Sequence, residues 1–345
     1  MKPIKLFLIL IVILCAYVEA FAELSIIHYQ RAYELIYHRL YYHKNIPFKD
    51  IVFAIENAYL GDTADYDAYN REIDYMVSSL RRQANIYAAY EPTMEMALLR
   101  AICSCYSEPN EANRGTPFSY DMLPTIERNY PHYGLVTTLL QTGRGTCRSL
   151  PFLFKILADE LGVDAYMTLA PKHYFIRHQD SHGNWWNYET TMGRYLSSKA
   201  IIELTGLHPT GIYSKLYMSP IRGEELMVVC LDDLMDAYFL RTGRYTDPFT
   251  RLCYQFGLTF YPNSLLLKHL YNDKRTVLCE RAQEAGIKEE KELKSHPDFR
   301  VEYEAVEAIR QRLDSIGYQD WTDESLAKYL LRMRNYMQQH TDEHK

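Results

Sequence analysis

Beyond its first two dozen residues the chain has no apolar run approaching the ~20 residues that a spanning helix requires, so its body contains no candidate membrane span. It also lacks an excess of positive charge. Lys and Arg number 38 against 44 Asp and Glu, a net charge of −6, which argues against nucleic acid or an anionic membrane as the main partner. Zinc-type cysteine spacing is missing too: a single residue separates Cys103 from Cys105, no second pair follows, and Cys147, Cys230, Cys253 and Cys279 lie far apart. We expect no metal, no cofactor and no extensive disulfide framework.

What is present begins with an export signal. Lys2 and Lys5 precede an apolar run from Leu6 to Val18, and Ala20-Phe21-Ala22 supplies the small-x-small pattern of a cleavage site. Cleavage there removes residues 1–22 and places the protein in the periplasm or outside the cell, with no membrane span remaining. The alternative is an uncleaved N-terminal anchor. A lipid-modified Cys15 is disfavoured, because Leu14 stands where a small residue is needed. The remainder is globular in composition, 48% hydrophobic, with 31 tyrosines that suit helical packing more than a carbohydrate groove.

Three regions follow. Residues 23–125 have helical periodicity, as in Ile51-Val52-Phe53-Ala54-Ile55 and Met94 to Cys105. Residues 126–215 change character: a helix from Cys147 to Leu161 precedes short alternating segments separated by turns. Residues 216–345 are helical again. Lys288 to Lys294 reads as a solvated helix face or linker, broken at His296-Pro297. Leu234, Ala237, Tyr238, Gly243, Tyr245 and Pro262 follow the order of a tetratricopeptide repeat, although Pro248 stands where the repeat prefers Ala; a plain helical hairpin is the other reading. Either makes this region an all-α appendage suited to packing or to a protein partner.

The middle region carries the chemistry. In Gln141-Thr-Gly-Arg-Gly-Thr-Cys147-Arg-Ser-Leu-Pro151, two glycines give an adaptable loop. Pro151 is tolerable only in a first turn, so the helix must begin near Cys147. A thiol at a helix N-terminus faces the positive end of the dipole and free amide donors, which favour the nucleophilic thiolate, and Arg148 adds positive potential. Ala165 to Leu169, His173 to His178 and Trp185 to Thr190 read as strands. A five-residue loop at 179–183 would set His173 directly opposite Glu189 on one sheet face; a loop shorter by two residues would keep the parity and make Asn187 the partner instead. His173 and His178 differ by an odd number and point to opposite faces, which speaks against a histidine metal site with His182. Gln141, six residues before Cys147, is a candidate oxyanion donor together with the Cys147 N–H.

Gly145-Thr-Cys147-Arg, Lys172-His173-Tyr-Phe and Trp185-Trp-Asn-Tyr-Glu189-Thr-Thr191 occur in the order helix, strand, strand. In this respect residues 130–195 resemble the transglutaminase-like superfamily of papain-like thiol enzymes, whose bacterial members include some with helices before the core and tetratricopeptide-type helices after it. Glu189 stands where that family has Asp. The resemblance implies an α+β fold in which a Cys-bearing helix packs on an antiparallel sheet, with N-terminal helices and an all-α C-terminal region around it. It implies catalysis by Cys147, His173 and Glu189 through a thioester, on a peptide, protein or peptidoglycan-type amide. The alternative is a non-catalytic binding module that recruits a partner through its helical flanks.

Overall fold

The computed structural model describes residues 26–121, 134–320 and 322–340. The export signal at 1–22 and the boundary expected at 125–126 lie outside the described residues.

Four helices open the chain: α1 (residues 26–41), α2 (Phe48–Tyr59), α3 (Tyr66–Tyr87) and α4 (Met94–Ser107). Asp65 and Thr93 cap α3 and α4, each side chain accepting the N–H three residues on. Apolar residues at helical spacing form the inward faces. On α2 these are Ile51, Val52, Ile55 and Ala58; on α3 they are Ile73, Met76, Leu80 and Ala84.

The mixed helix-and-sheet part follows, making the fold α+β. Strands β1 (Ser119–Tyr120) and β2 (Arg144–Gly145) pair in parallel, with α5 (Val136–Thr142) before β2. Helix α6 (Ser149–Leu161) then leads into an antiparallel meander of β3 (Ala165–Ala170), β4 (His173–Gln179), β5 (Trp185–Glu189) and β6 (Arg194–Leu196), in that spatial order. Helix α6 packs against β3 and β4 and buries Phe152, Phe154, Ile156 and Leu157 completely.

The two glycines before Cys147 are specific rather than adaptable. Gly143 takes the left-handed conformation that ends α5 (φ 69°). Gly145 is pressed so close to α6 that a Cβ would lie 2.6 Å from Ser149 Oγ. The Ser149 hydroxyl accepts the Thr146 N–H at 3.0 Å, which fixes the entry into the helix.

The β4–β5 register differs from expectation by two residues. Gln179 pairs with Trp185 and Ile176 with Tyr188, so the five-residue loop is 180–184. Asp180 is the cause. Its carboxylate accepts the N–H groups of His182 and Asn184, the Asn184 amide and the Trp186 indole, organising the loop one position later. The ladder ends at Ile176 and Tyr188, short of His173 and Glu189, and residues 190–193 turn the chain into β6.

The chain continues through α7 (Ser198–Thr205), α8 (Pro209–Tyr213), α9 (Gly223–Thr242), α10 (Pro248–Phe260), α11 (Leu266–Glu284), α12 (Glu290–Ser295), α13 (Arg300–Ser315) and α14 (Asp323–His340). The stretch with tetratricopeptide-like order forms a helical hairpin, α9–α10. Gly243 stops α9 in the left-handed region, and Pro248 occupies the first turn of α10, where its missing N–H has no intrahelical partner to lose. Helix α9 is no appendage. Cys230, Leu231, Leu234 and Tyr238 are fully buried, and α9 packs against α2 from the other end of the chain. Apolar on several sides, it must be covered on several sides. One core runs from Tyr29 to Met333 through all three regions, with a satellite cluster of Leu278, Ala282, Leu293, Phe299 and Val306 among α11–α13. Among the described residues no helix is long and apolar enough to cross a membrane.

Candidate active site

Cys147 sits immediately before the N-cap of α6, at the mouth of that helix and 6% exposed. His173 opens β4 directly after the two-residue turn Pro171-Lys172. Lys172 adopts a left-handed conformation (φ 53°), uncommon for a residue with a side chain, and its carbonyl accepts the Cys147 thiol at 3.8 Å. The turn therefore presents β4 to the helix mouth, and the Cys147 side chain hydrogen-bonds the His173 ring.

The other side of the ring meets Glu189. Its Oε2 lies 2.7 Å from His173 Nε2, both groups being buried. Both residues lie beyond the last paired positions of the β4–β5 ladder, so the gap between them is closed by side-chain length. Glu189 has that reach. Its other oxygen, Oε1, accepts the Thr191 N–H at 3.0 Å and the Thr191 hydroxyl at 2.7 Å, which prevents the carboxylate from rotating away. The turn after β5 thus holds the residue that holds His173.

Burial alone would lower the proton affinity of His173. The Glu189 carboxylate, with hydrogen bonds to Cys147 and Glu189, outweighs it and brings the ring up to about 10. Burial likewise pushes Glu189 up, but the charge of His173 and the hydrogen bonds from His173 and Thr191 hold its carboxyl below the usual range. The shift favours an imidazolium–carboxylate pair at neutral pH.

Asn187 is elsewhere. Its amide donates to the Leu196 carbonyl and to Ser198 Oγ, tying β5 to β6 and α7. Gln141 lies on the exposed side of α5 and is not among the residues lining the space beside Cys147. The structure brings together Cys147, His173 and Glu189, and leaves Gln141 and Asn187 out.

Arg148 has a role other than the one its position suggested. Its guanidinium forms a forked pair with Asp233 on α9 and reaches Glu56 on α2 at 3.1 Å, as well as the Gly134 carbonyl. Burial works against its charge, and Asp233 and Glu56 more than offset this. Glu56 is completely buried and also accepts the Val136 and Thr137 N–H groups that open α5, so its carboxyl, raised by burial, is partly brought back. The positive charge beside Cys147 is already balanced by two carboxylates. Arg148 joins α2, α5, α6 and α9 at the helix mouth.

Two contributors had no visible mark in the sequence. Tyr329 of α14 is 3% exposed, and its hydroxyl lies 3.4 Å from His173 Nδ1, across 156 positions of chain. Helix α9 supplies one wall of a cavity of about 770 Å³ that reaches Cys147. The i, i+4 spacing of Asp232 and Asp236 was readable as two carboxylates on one helix face. With His269 they form the one trio of metal-ligand geometry among the described residues. The Lys268 ammonium, however, lies 3.0 Å from Asp232 and 3.2 Å from Asp236, so these carboxylates already form an ion-pair network.

No family model matches the chain, and no curated protein or solved structure was found to be similar to it.

Proposed function

We propose that this chain is a cysteine-dependent acyl-transfer enzyme of transglutaminase-like type, acting outside the cytoplasm on an amide or ester of a peptide, protein or peptidoglycan-type substrate. The observation that supports this best is the continuous chain of contacts Cys147–His173–Glu189–Thr191 at the edge of a large cavity. Each member orients the next, which is what thiol catalysis requires.

The reaction follows from the roles. Cys147 Sγ attacks the carbonyl carbon while its proton resides on His173. The tetrahedral adduct collapses, the bond from carbon to the leaving nitrogen or oxygen breaks, and His173 returns the proton to that leaving group. The thioester is then attacked by water, or by an amine, with His173 taking the proton from the attacking group and giving it to the departing sulfur. Glu189 stabilises the imidazolium throughout. No cofactor takes part in these steps.

Thiol alkylation tests the reading. Burial pushes the Cys103 and Cys105 thiols up to about 12 and also raises those of Cys230 and Cys253, so these four are slow to react. Cys279 is exposed and should be replaced by Ser. In that background, iodoacetamide at pH ~6 is expected to label Cys147 first, and His173→Ala should remove the advantage. Mass spectrometry showing another cysteine labelled first, or a rate indifferent to His173→Ala, would favour a binding module built on the same fold.

A further inference from the structure

The cavity beside Cys147 has walls that select what enters it. Seven aromatic rings line it, six of them tyrosines, together with four carboxylates and three cations. The cations are largely taken. Lys172 Nζ is 3.2 Å from Asp320, Arg148 lies between Glu56 and Asp233, and Lys268 is shared between Asp232 and Asp236. Asp236 is the carboxylate left most available. Its side chain is 49% exposed, against 6% for Asp232 and 16% for Asp233. Lys268 approaches only its Oδ2, and Oδ1 lies 3.6 Å from His269 Nε2.

Aromatic faces stand next to it. Phe239 follows Asp236 by three residues on α9, so both project from one side of the helix, and Tyr245 stacks on Phe239 with ring centroids 3.6 Å apart. A carboxylate beside ring faces is a chemical match for an ammonium group, which gains ion pairing and cation–π attraction together. The negative field of α9 extends along the wall. Tyr174, raised first by burial, is raised further by Asp232, Asp233 and Asp236, and Tyr245 by burial and then Asp236. These hydroxyls remain neutral donors.

We propose that the cavity binds a primary ammonium group of the acyl-donor substrate, such as the side-chain amine of a basic peptide residue, with Asp236 as its anchor and Phe239 and Tyr245 beside it. This rests on the reading of Cys147 as the nucleophile, and it says which substrates that nucleophile meets. An amine held against a carboxylate keeps its proton and has no lone pair with which to attack a thioester. The group is therefore a handle that places the scissile carbonyl near Cys147, distinct from any acceptor amine of the second half-reaction.

Binding can be measured without the chemistry. The signal-cleaved chain carrying Cys147→Ala would be titrated by calorimetry at low salt with Nα-acetyl-lysine methylamide, and with the norleucine and glutamate analogues. The lysine amide is expected to bind at least about tenfold more tightly than the norleucine amide, and the glutamate amide more weakly than either. Asp236→Asn should bring the lysine and norleucine affinities within about twofold, whereas Asp67→Asn, at an exposed position on α3, should leave the preference intact. Because Lys268 keeps Asp232, Asp236→Asn is expected to retain the native circular dichroism. Equal affinities for lysine and norleucine amides, or a preference that survives Asp236→Asn, would overturn the proposal. An Asp236-dependent preference in a protein whose Cys147 proves unreactive would support the cation site and remove the acyl-transfer reading. A reactive Cys147 that turns over lysine and norleucine substrates alike would do the reverse.

Discussion

Glu189 shows how much a single methylene decides. Glu189 and His173 lie beyond the last paired residues of the β4–β5 ladder, so side-chain length brings the carboxylate to the ring at 2.7 Å. Glu189→Asp is therefore expected to lose nearly as much turnover as Glu189→Ala, although it keeps the charge. Either loss should be smaller than the ~10²-fold or greater fall on removing the base in His173→Ala, since an orienting group contributes less than the group it orients. Steady-state kcat on an activated ester would rank the three; full activity in Glu189→Asp would contradict this dependence on reach. The pH dependence belongs to the same residue. His173 binds its proton more tightly folded, at about 10, than unfolded, near 6.5, so the folded state holds more protons in that window. The stabilisation is complete below pH ~6.5 and is lost as pH rises towards 10. Urea midpoints should fall across this range, more steeply in the native chain than in His173→Ala. The pairing of parity on the two strands was legible in the sequence, and it brought His173 and Glu189 to one face. The two-residue offset was not, because it depends on how four donors converge on Asp180.

Between elements, the mouth of α6 is held by charge. Arg148 joins two carboxylates from helices that are 85 and 92 positions away in the chain, one on each side. Arg148→Met would leave Glu56 and Asp233 facing each other with no cation between them. Breaking a buried pair from one side costs about 3–5 kcal/mol, and the urea midpoint is expected to fall accordingly. An unchanged midpoint would show that the network contributes nothing to stability. The turn that carries Thr191 has a steric counterpart. Gly193 sits at φ 62°, and a Cβ there would lie 2.2 Å from the Tyr106 carbonyl oxygen. Gly193→Ala should destabilise by more than ~1 kcal/mol and loosen the Thr191 contacts that fix Glu189. Calorimetry and the kcat of the same variant would test both consequences. Residue types in the Cys147 segment announced a helix start. They did not announce that Arg148 is neutralised, because its partners come from α2 and α9, where Glu56 and Asp233 look like ordinary helix-surface acids.

At the scale of the whole molecule, the helical flanks are structural members of the site. Tyr329 and Met333 of α14 are 3% and 2% exposed, and Arg332 reaches the Glu203 carbonyl at the end of α7. A chain ending at Gln319 gives up about 1.5–3 kcal/mol for each such buried side chain and should melt roughly 5–15 °C lower. A thermal midpoint unaffected by that truncation would show α14 to be dispensable to the fold. The three-part division read from composition put Cys147, His173 and Glu189 in one segment but missed that one core spans all three, since hydrophobic periodicity marks which face is buried and not what buries it. The Tyr329 contact also has a consequence in time. His173 and Glu189 are 16 residues apart in one hairpin, so base and acid can meet as soon as that hairpin forms. Enclosing His173 with Tyr329 requires a loop of 156 residues to close, and bracing the mouth of α6 through Arg148 requires 85. Closure over such separations costs more entropy and comes later than local pairing. A nascent or partly threaded chain would hold His173 and Glu189 together while the segment of Cys147 remained unbraced, so the finished arrangement belongs only to the finished protein.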